Sequence, residues 1–414
     1  MNIFERRESA VRSYSRNWPV VFDRGAGSWL YSVEGTPYLD FFAGAGSLNY
    51  GHNNPALRQA LINYLAHNGV THALDMWTLA RADLLRAIEE QILYPRGLDY
   101  KVVFPGPSGA SAVEAAIKLA RKASGRQWVA HFDQAFHGMS LGALSVNGNP
   151  SVRQTAGIPL SFRAELPYGC NSNAASEADI EKQLADTVGG LDNTAAVIVE
   201  TVQGEGGIRV ARAEWLEQLA EVCRRNHILV IIDDIQMGCG RVGSFFSFEH
   251  TNVQPDMVCL SKSISGYGLP LALLMIRPEL DVWQPAEHNG TFRGLNLAFI
   301  TGAEALRTYW SDRNLEETTY RKAEILSKGL RKIVRDYPNL AIAWRGRGLA
   351  QGLVAPNGQA AGAIRDAAFE HRLLVETCGS EGQVVKLMPP LTVSEEEILE
   401  ALQILETSVR VASL

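Results

Sequence analysis

Residues 100–123, YKVVFPGPSGASAVEAAIKLARKA, carry the pattern that decides the fold. They begin with a short apolar run, Tyr100–Phe104, rich in residues that favour strands. A turn of Gly, Pro and Ser follows, and Ser111–Ala123 then places apolar residues at helical spacing among good helix formers. A strand followed at once by a helix is the repeating unit of an α/β fold.

Further apolar runs extend this pattern along the chain. They are Trp128–Phe132, Ala195–Glu200, Ile228–Asp233 and Met257–Ser261. None alternates cleanly between apolar and polar residues, which is typical of strands buried on both faces of a sheet. Helix-like stretches separate these runs, so the sequence predicts an α/β fold with a mostly parallel central sheet.

The length of 414 residues exceeds the usual size of one hydrophobic core, so more than one domain is expected. Residues 49–305 hold the strand and helix units and are predicted to form a large domain. Residues 306–414 begin with a long amphipathic helix, Leu315–Tyr337, and are predicted to form a smaller α+β domain. Residues 1–48 contain a hairpin-like pattern, Gly27–Phe41, and are expected to pack with the small domain.

Composition excludes several classes of protein. The chain has 46% hydrophobic and 20% charged residues and a net charge of −6, which is typical of a globular enzyme and disfavours nucleic-acid binding. No apolar run is long enough to span a bilayer, and the N-terminus resembles no secretory signal. The five cysteines are few and scattered, which is typical of a reducing compartment, so we expect a cytoplasmic protein. They form no CxxC motif, so we expect no metal site. Without a long apolar run we also expect no membrane partner.

Polar or glycine-rich residues follow each predicted strand of the central sheet. They are Pro105–Gly109, Phe136–His137, Glu200, Asp233 and Lys262. Ligands of an open parallel sheet bind at the carboxyl ends of its strands. The sequence therefore predicts that these five positions belong to one site.

Two of these positions carry reactive groups. Lys262 follows an apolar strand and precedes a glycine-rich stretch, as a nucleophilic amine would, although a surface lysine gives the same pattern. The side chains of Asp233 and Asp234 are expected to point to opposite faces of their strand, so only one can face a given ligand, and we predict that it is Asp233. Its partner would be a protonated pyridine nitrogen, a helix N-terminus or a structural cation.

The loop Gly106–Ser111, GPSGAS, joins the first strand to its helix. Backbone amides and the helix dipole at such a turn form a site for an anion, with the hydroxyls of Ser108 and Ser111 nearby. The loop lacks the GK[ST] sequence of a nucleotide-binding P-loop. Phe136 could lie over an aromatic ring, or it could be an ordinary core residue.

Taken together, the motifs resemble one family. The strand–GPSGAS–helix unit, FHG, ETVQGEGG, IIDDIQMGCGR, LSKSISGYGLP and HNGTFRGLNLA occur in this order. They are similar to the motifs of the class III (ornithine/GABA-type) pyridoxal-phosphate aminotransferases, from about Val20 to Val393. The resemblance implies the fold-type-I architecture, pyridoxal 5'-phosphate as cofactor, and a homodimer with shared active sites.

The resemblance also assigns roles. Lys262 would bind the cofactor covalently and then move a proton, and Asp233 would pair with the ring nitrogen. Other contacts to the cofactor would come from Ser108, Gly109, Ala110, Phe136, His137, Glu200, Gln236 and Thr291. Among these, Phe136 would stack on the ring, Gln236 would reach its 3-oxygen, and Thr291 would reach the phosphate of the neighbouring subunit.

The chain departs from the family pattern where substrate carboxylates usually bind. Met139 stands where an arginine commonly follows FHG, and Lys386 stands where an arginine commonly precedes the PPL turn. A lysine binds a carboxylate as a point charge, without the bidentate fork of arginine. Lys386 and Arg293 are therefore the candidate contacts to substrate carboxylates, although Arg293 could equally form a structural ion pair. Glu205 is a further candidate at the substrate, since the resemblance implies that it supports the site and gates its entrance.

The segments FFAGAGSLNYGHNNP, PRGLDYKV, FSFE and EHNGTFRGLNLAF resemble one subgroup, the diaminobutyrate–2-oxoglutarate aminotransferases of ectoine synthesis. The resemblance implies transfer of an amino group from glutamate to aspartate 4-semialdehyde, giving 2,4-diaminobutyrate and 2-oxoglutarate. GPSGAS stands where that subgroup usually has GPTGTN. A related enzyme of a natural-product pathway acting on another aldehyde or ketone, an isomerising aminomutase, and a catalytically inactive binding protein remain alternatives.

Overall fold

The computed structural model describes residues 3–170 and 176–412. Its strands are β1 (Phe22–Ala26), β2 (Trp29–Ser32), β3 (Pro37–Asp40), β4 (Lys101–Val103), β5 (Trp128–Phe132), β6 (Arg163–Leu166), β7 (Thr194–Val199), β8 (Val202–Gln203), β9 (Arg209–Val210), β10 (Leu229–Asp233), β11 (Met257–Leu260), β12 (Leu273–Ile276), β13 (Ala343–Arg347), β14 (Ala350–Val354), β15 (Leu373–Leu374), β16 (Glu376–Cys378) and β17 (Val384–Leu387).

The α-helices are α1 (Ile3–Arg7), α2 (Tyr14–Asn17), α3 (Ala43–Gly46), α4 (Pro55–Ala66), α5 (Leu79–Ile88), α6 (Tyr94–Arg96), α7 (Gly109–Ser124), α8 (Leu141–Ser145), α9 (Pro150–Gln154), α10 (Glu177–Ala185), α11 (Gly190–Asn193), α12 (Ala213–Arg225), α13 (Asn296–Trp310), α14 (Asn314–Asp336), α15 (Gly358–Glu370) and α16 (Glu395–Val411). A π-helical stretch, Glu89–Leu93, joins α5 to α6, and short 3₁₀ turns lie at Lys262–Ser265, Pro278–Leu280, Thr291–Arg293 and Pro338–Leu340.

The central sheet has the strand order β4-β12-β11-β10-β7-β5-β6. Its strands run parallel except β12, which is antiparallel to both of its neighbours. Every residue of β7, β11 and β12 is buried, as the unbroken apolar runs predict for strands covered on both faces. The predicted α/β fold with a mostly parallel sheet is therefore confirmed.

The helix α7 shows why the first motif folds as predicted. The Oγ of Ser108 accepts a hydrogen bond from the Ser111 backbone N–H at 3.3 Å, which caps the N-terminus of the helix. Gly125 ends the helix with a left-handed φ of 70°, a conformation that costs glycine little. The buried face of α7, which includes Val113 and Ile117, packs against the sheet.

Two smaller sheets lie outside the central one. The sheet β1-β2-β3-β15 includes the predicted hairpin, and Leu39 of β3 pairs with Leu373 of β15. The sheet β13-β14-β17-β16 is antiparallel. The long helix α14 packs against β13 and β14 of this sheet and against α16. The β3–β15 pairing supports the expected packing of residues 1–48 with the C-terminal region, and the domain boundaries at residues 48 and 305 stay predictions.

Within residues 3–170 and 176–412, no helix is long and apolar enough to cross a membrane. The same residues contain no group of three or more His, Cys, Asp or Glu side chains placed to hold a metal ion. Four of the five cysteines are buried as thiols, at Cys223, Cys239, Cys259 and Cys378.

Candidate active site

A cavity lies at the carboxyl edge of the central sheet. Its lining includes residues that follow four of the parallel strands, together with the first residues of α7. The lining residues are Gly109, Ala110, Phe136, His137, Gly138, Glu200, Glu205, Asp233, Ile235, Gln236, Met237 and Lys262. The five strand ends that the sequence predicted to share one site therefore meet at one cavity.

Lys262 begins a 3₁₀ turn immediately after β11. Its backbone has a φ of 49°, a left-handed value that is uncommon for a residue with a side chain and is often found at functional sites. Its Nζ donates a hydrogen bond to the backbone oxygen of Ala45 at 2.9 Å. Burial lowers the pKa of Lys262 although the carboxylate of Glu205 opposes this shift, so the amine loses its proton more readily than a surface lysine.

The two adjacent aspartates face different surroundings. An oxygen of Asp233 lies 2.7 Å from Nδ1 of His137, and Asp233 lines the cavity. Burial by itself would lower the pKa of His137, but the hydrogen bond and charge of Asp233 raise it. Asp234 instead accepts a hydrogen bond from the Ser247 N–H at 2.9 Å on the other side of the strand, and burial raises its pKa to about 7.

Glu200 follows β7 and is buried at the cavity wall. Its carboxylate accepts hydrogen bonds from the backbone N–H groups of Phe136 at 3.0 Å and Gly204 at 3.4 Å. Burial raises its pKa to about 7, although the nearby charge of His137 opposes part of the shift. The carboxylate thereby fixes the loop that carries Phe136, whose side chain is 37% exposed and lies at the cavity.

The first residues of α7 bring a helix N-terminus to the cavity. Gly109 and Ala110 line the cavity, and their backbone N–H groups belong to the first turn of a 16-residue helix. Space here is tight, because a Cβ atom on Gly138 would lie 2.7 Å from the Cβ of Ala110. Ser108 caps the helix next to this turn and does not itself line the cavity.

A cluster of two carboxylates and one lysine lies at one side of the cavity. We call Glu205, Lys386 and Glu376 the carboxylate–lysine cluster. The Nζ of Lys386 lies 2.7 Å from an oxygen of Glu205 and 2.7 Å from an oxygen of Glu376. Glu205 also accepts a hydrogen bond from Nε2 of Gln236 at 3.1 Å, and Gln236 donates to the backbone oxygen of Ala45 at 3.0 Å.

The charges in this cluster respond to one another. Burial by itself would raise the pKa of Glu205, but the charges of Lys386 and Lys262 lower it to about 2. Burial raises the pKa of Glu376 in spite of the opposing charge of Lys386. The pKa of Lys386 lies well above its usual value, because its two carboxylates outweigh the effect of burial. Lys386 is thus an ion-paired cation in this structure, and its predicted contact with a substrate carboxylate stays a prediction.

Two of the predicted residues lie away from the cavity of their own chain. Thr291 is exposed and does not line it. Arg293 donates from a terminal nitrogen to the backbone oxygen of His288 at 2.9 Å, and it also lies outside the cavity lining. The predicted roles of Thr291 and Arg293 therefore depend on a second subunit and stay predictions.

Sequence reasoning missed Glu376. It lies on β16 directly opposite Lys386 of β17, in antiparallel register, and is only 5% exposed. The available signal was a single carboxylate inside the apolar run LLVETC, which calls for a buried cationic partner. The backbone oxygen of Ala45 was missed as well, because a main-chain acceptor leaves no signal in side-chain identity.

The groups present at the cavity fit the cofactor that the resemblance implies. Asp233 offers a buried carboxylate for a protonated ring nitrogen, and Lys262 offers a partly buried amine with a lowered pKa for a carbonyl carbon. The helix N-terminus at Gly109 and Ala110 offers amide donors for a phosphate. The Nε2 of His137 is also buried and has no hydrogen-bond partner among the described residues, so it is available to a bound group.

Comparison with solved structures gives the same architecture. An ornithine aminotransferase from Toxoplasma gondii matches with a TM-score of 0.86 and 25% identity, covering 99% of this chain and 94% of the other. An acetylornithine aminotransferase from Elizabethkingia anophelis matches with a TM-score of 0.79 and 27% identity, covering 99% and 97%. Both are fold-type-I aminotransferases, so the predicted fold class is confirmed.

Comparison with curated sequences gives much higher identity. A diaminobutyrate–2-oxoglutarate transaminase from Nocardia farcinica is 56% identical over 406 residues, covering 98% of this chain and 93% of the relative. Another from Halomonas elongata is 52% identical over 415 residues, covering 99% of each chain. The family model for aminotransferase class-III matches residues 10–409. Since this match spans nearly the whole sequence, the chain belongs to the class III aminotransferases, enzymes that depend on pyridoxal 5'-phosphate.

Proposed function

We propose that this aminotransferase moves an amino group from glutamate to aspartate 4-semialdehyde, giving 2,4-diaminobutyrate and 2-oxoglutarate. The observation that carries the proposal is the identity of 52–56% to relatives named for this activity, over 98–99% of the chain. The presence of both Lys262 and Asp233 at the cavity argues against an inactive binding protein. The same proposal places the enzyme in ectoine synthesis.

In this proposal each side chain at the cavity has a separate task. The cofactor supplies an electron sink for the carbanion formed at the substrate carbon. Asp233 holds a proton on the ring nitrogen, and its hydrogen bond with His137 fixes the orientation of the carboxylate. Lys262 binds the cofactor covalently and moves the proton at the substrate carbon, a role that a lowered pKa favours.

The remaining contacts position the cofactor. Ser108, Gly109 and Ala110 would hold the phosphate at the N-terminus of α7, and Phe136 would stack on the ring. Gln236 reaches the 3-oxygen of the ring. Glu200 supports the site by fixing the backbone of Phe136.

The proposed substrates are tested by two half-reactions on the purified holoenzyme. We expect glutamate to change the visible absorption of the bound cofactor, and aspartate 4-semialdehyde to restore it. In the reverse direction, 2,4-diaminobutyrate and 2-oxoglutarate should yield glutamate, measured with glutamate dehydrogenase. The proposal is wrong if alanine replaces glutamate as donor, or if a large apolar ketone restores the spectrum while aspartate 4-semialdehyde does not.

We propose further that the active enzyme is a homodimer with shared active sites. Exposed apolar side chains support this: Phe292 follows Thr291 and is 65% exposed, and Trp77 and Leu79 are 97% and 91% exposed. The last two flank Thr78, which is hydrogen-bonded to Asn296. Exposed apolar surface of this kind is typical of a protein–protein interface. In the dimer, Thr291 would reach the phosphate of the partner's cofactor, and Arg293 would face a substrate carboxylate.

The shared site can be tested with a heterodimer of one Lys262→Ala chain and one Thr291→Ala chain. If Thr291 serves the opposite subunit, one site carries both changes and the other neither, so about half of the activity should remain even at limiting cofactor. If Thr291 serves its own chain, the only site that keeps Lys262 has lost a phosphate hydrogen bond worth about 1.5–3 kcal/mol. Activity would then fall well below half at limiting cofactor, contradicting the shared site.

The compartment follows from the same proposal. Thiols at four buried cysteines are suited to a reducing environment, which supports a cytoplasmic enzyme.

We also propose a division into a large domain at 49–305 and a small domain at 306–414. The cavity then lies on the large domain, and the small domain contributes Glu376 and Lys386.

A further inference from the structure

We propose that Glu376 makes this enzyme select substrates with a second ammonium group, in addition to the amino group that is transferred. Glu376 acts through Lys386 by neutralising its charge, which leaves the carboxylate of Glu205 to bind the ammonium. The inference rests on the proposed function, because it explains how the site distinguishes 2,4-diaminobutyrate from amines that lack its α-amino group.

The first step is the charge of the carboxylate–lysine cluster. Glu205 and Glu376 share one lysine, and Lys386 Nζ lies at the same distance, 2.7 Å, from both carboxylates. Lys386 is 1% exposed and Glu376 5% exposed, so water screens these charges weakly. Two carboxylates and one ammonium leave a net charge of −1, carried by two buried side chains and by Glu205, whose side chain is 30% exposed.

Glu205 is the residue that brings the negative charge of the cluster to the cavity. Glu205 lines the cavity, whereas Lys386 and Glu376 lie one contact behind it. Without Glu376, the Glu205–Lys386 pair would be neutral. With Glu376 present, two carboxylates share the single charge of Lys386, so the cluster keeps one excess negative charge, and Glu205 is the member of the cluster that lines the cavity.

The described residues of the cavity lining offer Glu205 no further fixed counter-ion. Among the described residues that line it, Lys262 is the only lysine or arginine. The nearest partner of Lys262 is the backbone oxygen of Ala45, and its amine is needed for the chemistry. Of the other lining carboxylates, Asp233 is paired with His137 and Glu200 accepts two backbone hydrogen bonds.

Two carboxylates that share one cation in a weakly screened cluster are costly, so the site favours a ligand that brings a second cation. A diamino acid brings its second ammonium to Glu205, whereas the corresponding monoamine leaves Glu205 without this partner. Sites built to pair with a polar group reject analogues that lack the group much more strongly than apolar pockets reject a missing methylene. The cluster therefore selects for diamino acids as a class.

The test compares 2,4-diaminobutyrate with 4-aminobutyrate as donors to 2-oxoglutarate. The two differ only in the α-amino group. We expect the wild-type holoenzyme to prefer 2,4-diaminobutyrate strongly in kcat/KM. Glu376→Gln should reduce this preference by about 10- to 100-fold, the equivalent of losing one hydrogen bond to a charged group, chiefly through a higher KM for 2,4-diaminobutyrate.

Two further variants separate charge from structure. Glu381→Gln changes an exposed glutamate in the turn between β16 and β17 and should leave the preference unchanged. The double variant Glu376→Gln/Lys386→Gln removes both buried charges behind Glu205 and restores a net charge of −1. It should therefore recover the preference for 2,4-diaminobutyrate.

The inference is overturned if Glu376→Gln keeps the wild-type preference, if it slows both donors equally, or if the double variant fails to recover the preference. If Glu376→Gln alone does not fold, the donor preference of the double variant tests the inference instead. If wild-type enzyme does not use 2,4-diaminobutyrate at all, the proposed function fails instead. The same variants are then compared with ornithine and 5-aminopentanoate, a pair that differs by the same α-amino group.

Discussion

Replacing Lys262 with alanine is expected to abolish transamination while leaving the fold intact. Among the described residues that line the cavity, the ε-amine is the only group that can bind the cofactor covalently and then move a proton at the substrate carbon. Loss of general acid–base catalysis alone costs about 10²- to 10⁴-fold in rate, and loss of covalent attachment adds to this. The rate of glutamate conversion and the visible spectrum of the bound cofactor measure both effects.

The matched control is Lys328→Ala, which removes a lysine that is 73% exposed on α14. It should retain full activity and the wild-type spectrum. Lys262→Arg adds a second comparison, because it keeps a cation at this position without a nucleophilic amine, and it should be as inactive as Lys262→Ala. Turnover near the wild-type rate in Lys262→Ala would show that the covalent residue has been assigned wrongly.

The Asp233→Asn variant is expected to retain cofactor and lose most of its rate. Asparagine is neutral, so it cannot stabilise a proton on the ring nitrogen, and the carbanion loses part of its stabilisation. Removing such preorganised electrostatic support costs about 2.7–4 kcal/mol, or a hundred- to a thousandfold in kcat. The change also removes the charge that raises the pKa of His137, so the pKa of that imidazole should fall in the variant. Histidine titration by NMR checks this shift independently of activity.

Asp234→Asn is a close control for this experiment. Asp234 is the next residue, is equally buried, and accepts its hydrogen bond from Ser247 on the far side of the strand. Burial raises its pKa to about 7, above the unfolded-state value, so ionisation of this carboxyl weakens the fold as the pH rises toward 7. Asparagine is neutral and its Oδ1 can accept the same hydrogen bond from Ser247, so we expect little change or a small gain in stability at neutral pH and a nearly normal rate. A large loss of rate in Asp234→Asn with none in Asp233→Asn would reverse the assignment.

The sequence located the elements around the site to within a few residues. The run Trp128–Phe132 is a strand with the predicted bounds, and the predicted helix Ser111–Ala123 lies inside α7, Gly109–Ser124. The predicted helix Leu315–Tyr337 is shifted by one residue at each end, at Asn314–Asp336. These elements depend on local periodicity and capping, which neighbouring residues encode.

The placement of Lys262, Asp233 and Glu200 at one cavity was also within reach of the sequence. Parallel strands end at the same edge of a sheet, so residues that follow such strands meet there once the fold class is known. The selection of Asp233 for the ligand side needed more than the strand itself, because the pleat places adjacent side chains on opposite faces without saying which face holds the cavity. In the structure, Asp233 lines the cavity and Asp234 does not.

The carboxylate–lysine cluster was decided by tertiary structure alone. Glu205 and Lys386 are 181 positions apart, and they meet because β17 pairs with β16 and this sheet lies against the loop between β8 and β9. The sequence by itself determined the α/β fold, the family motifs and the strand-end residues, since these follow from short-range pattern. It did not determine that Lys386 is shared by two carboxylates, because that depends on the register of strands whose partners are set by packing across the molecule.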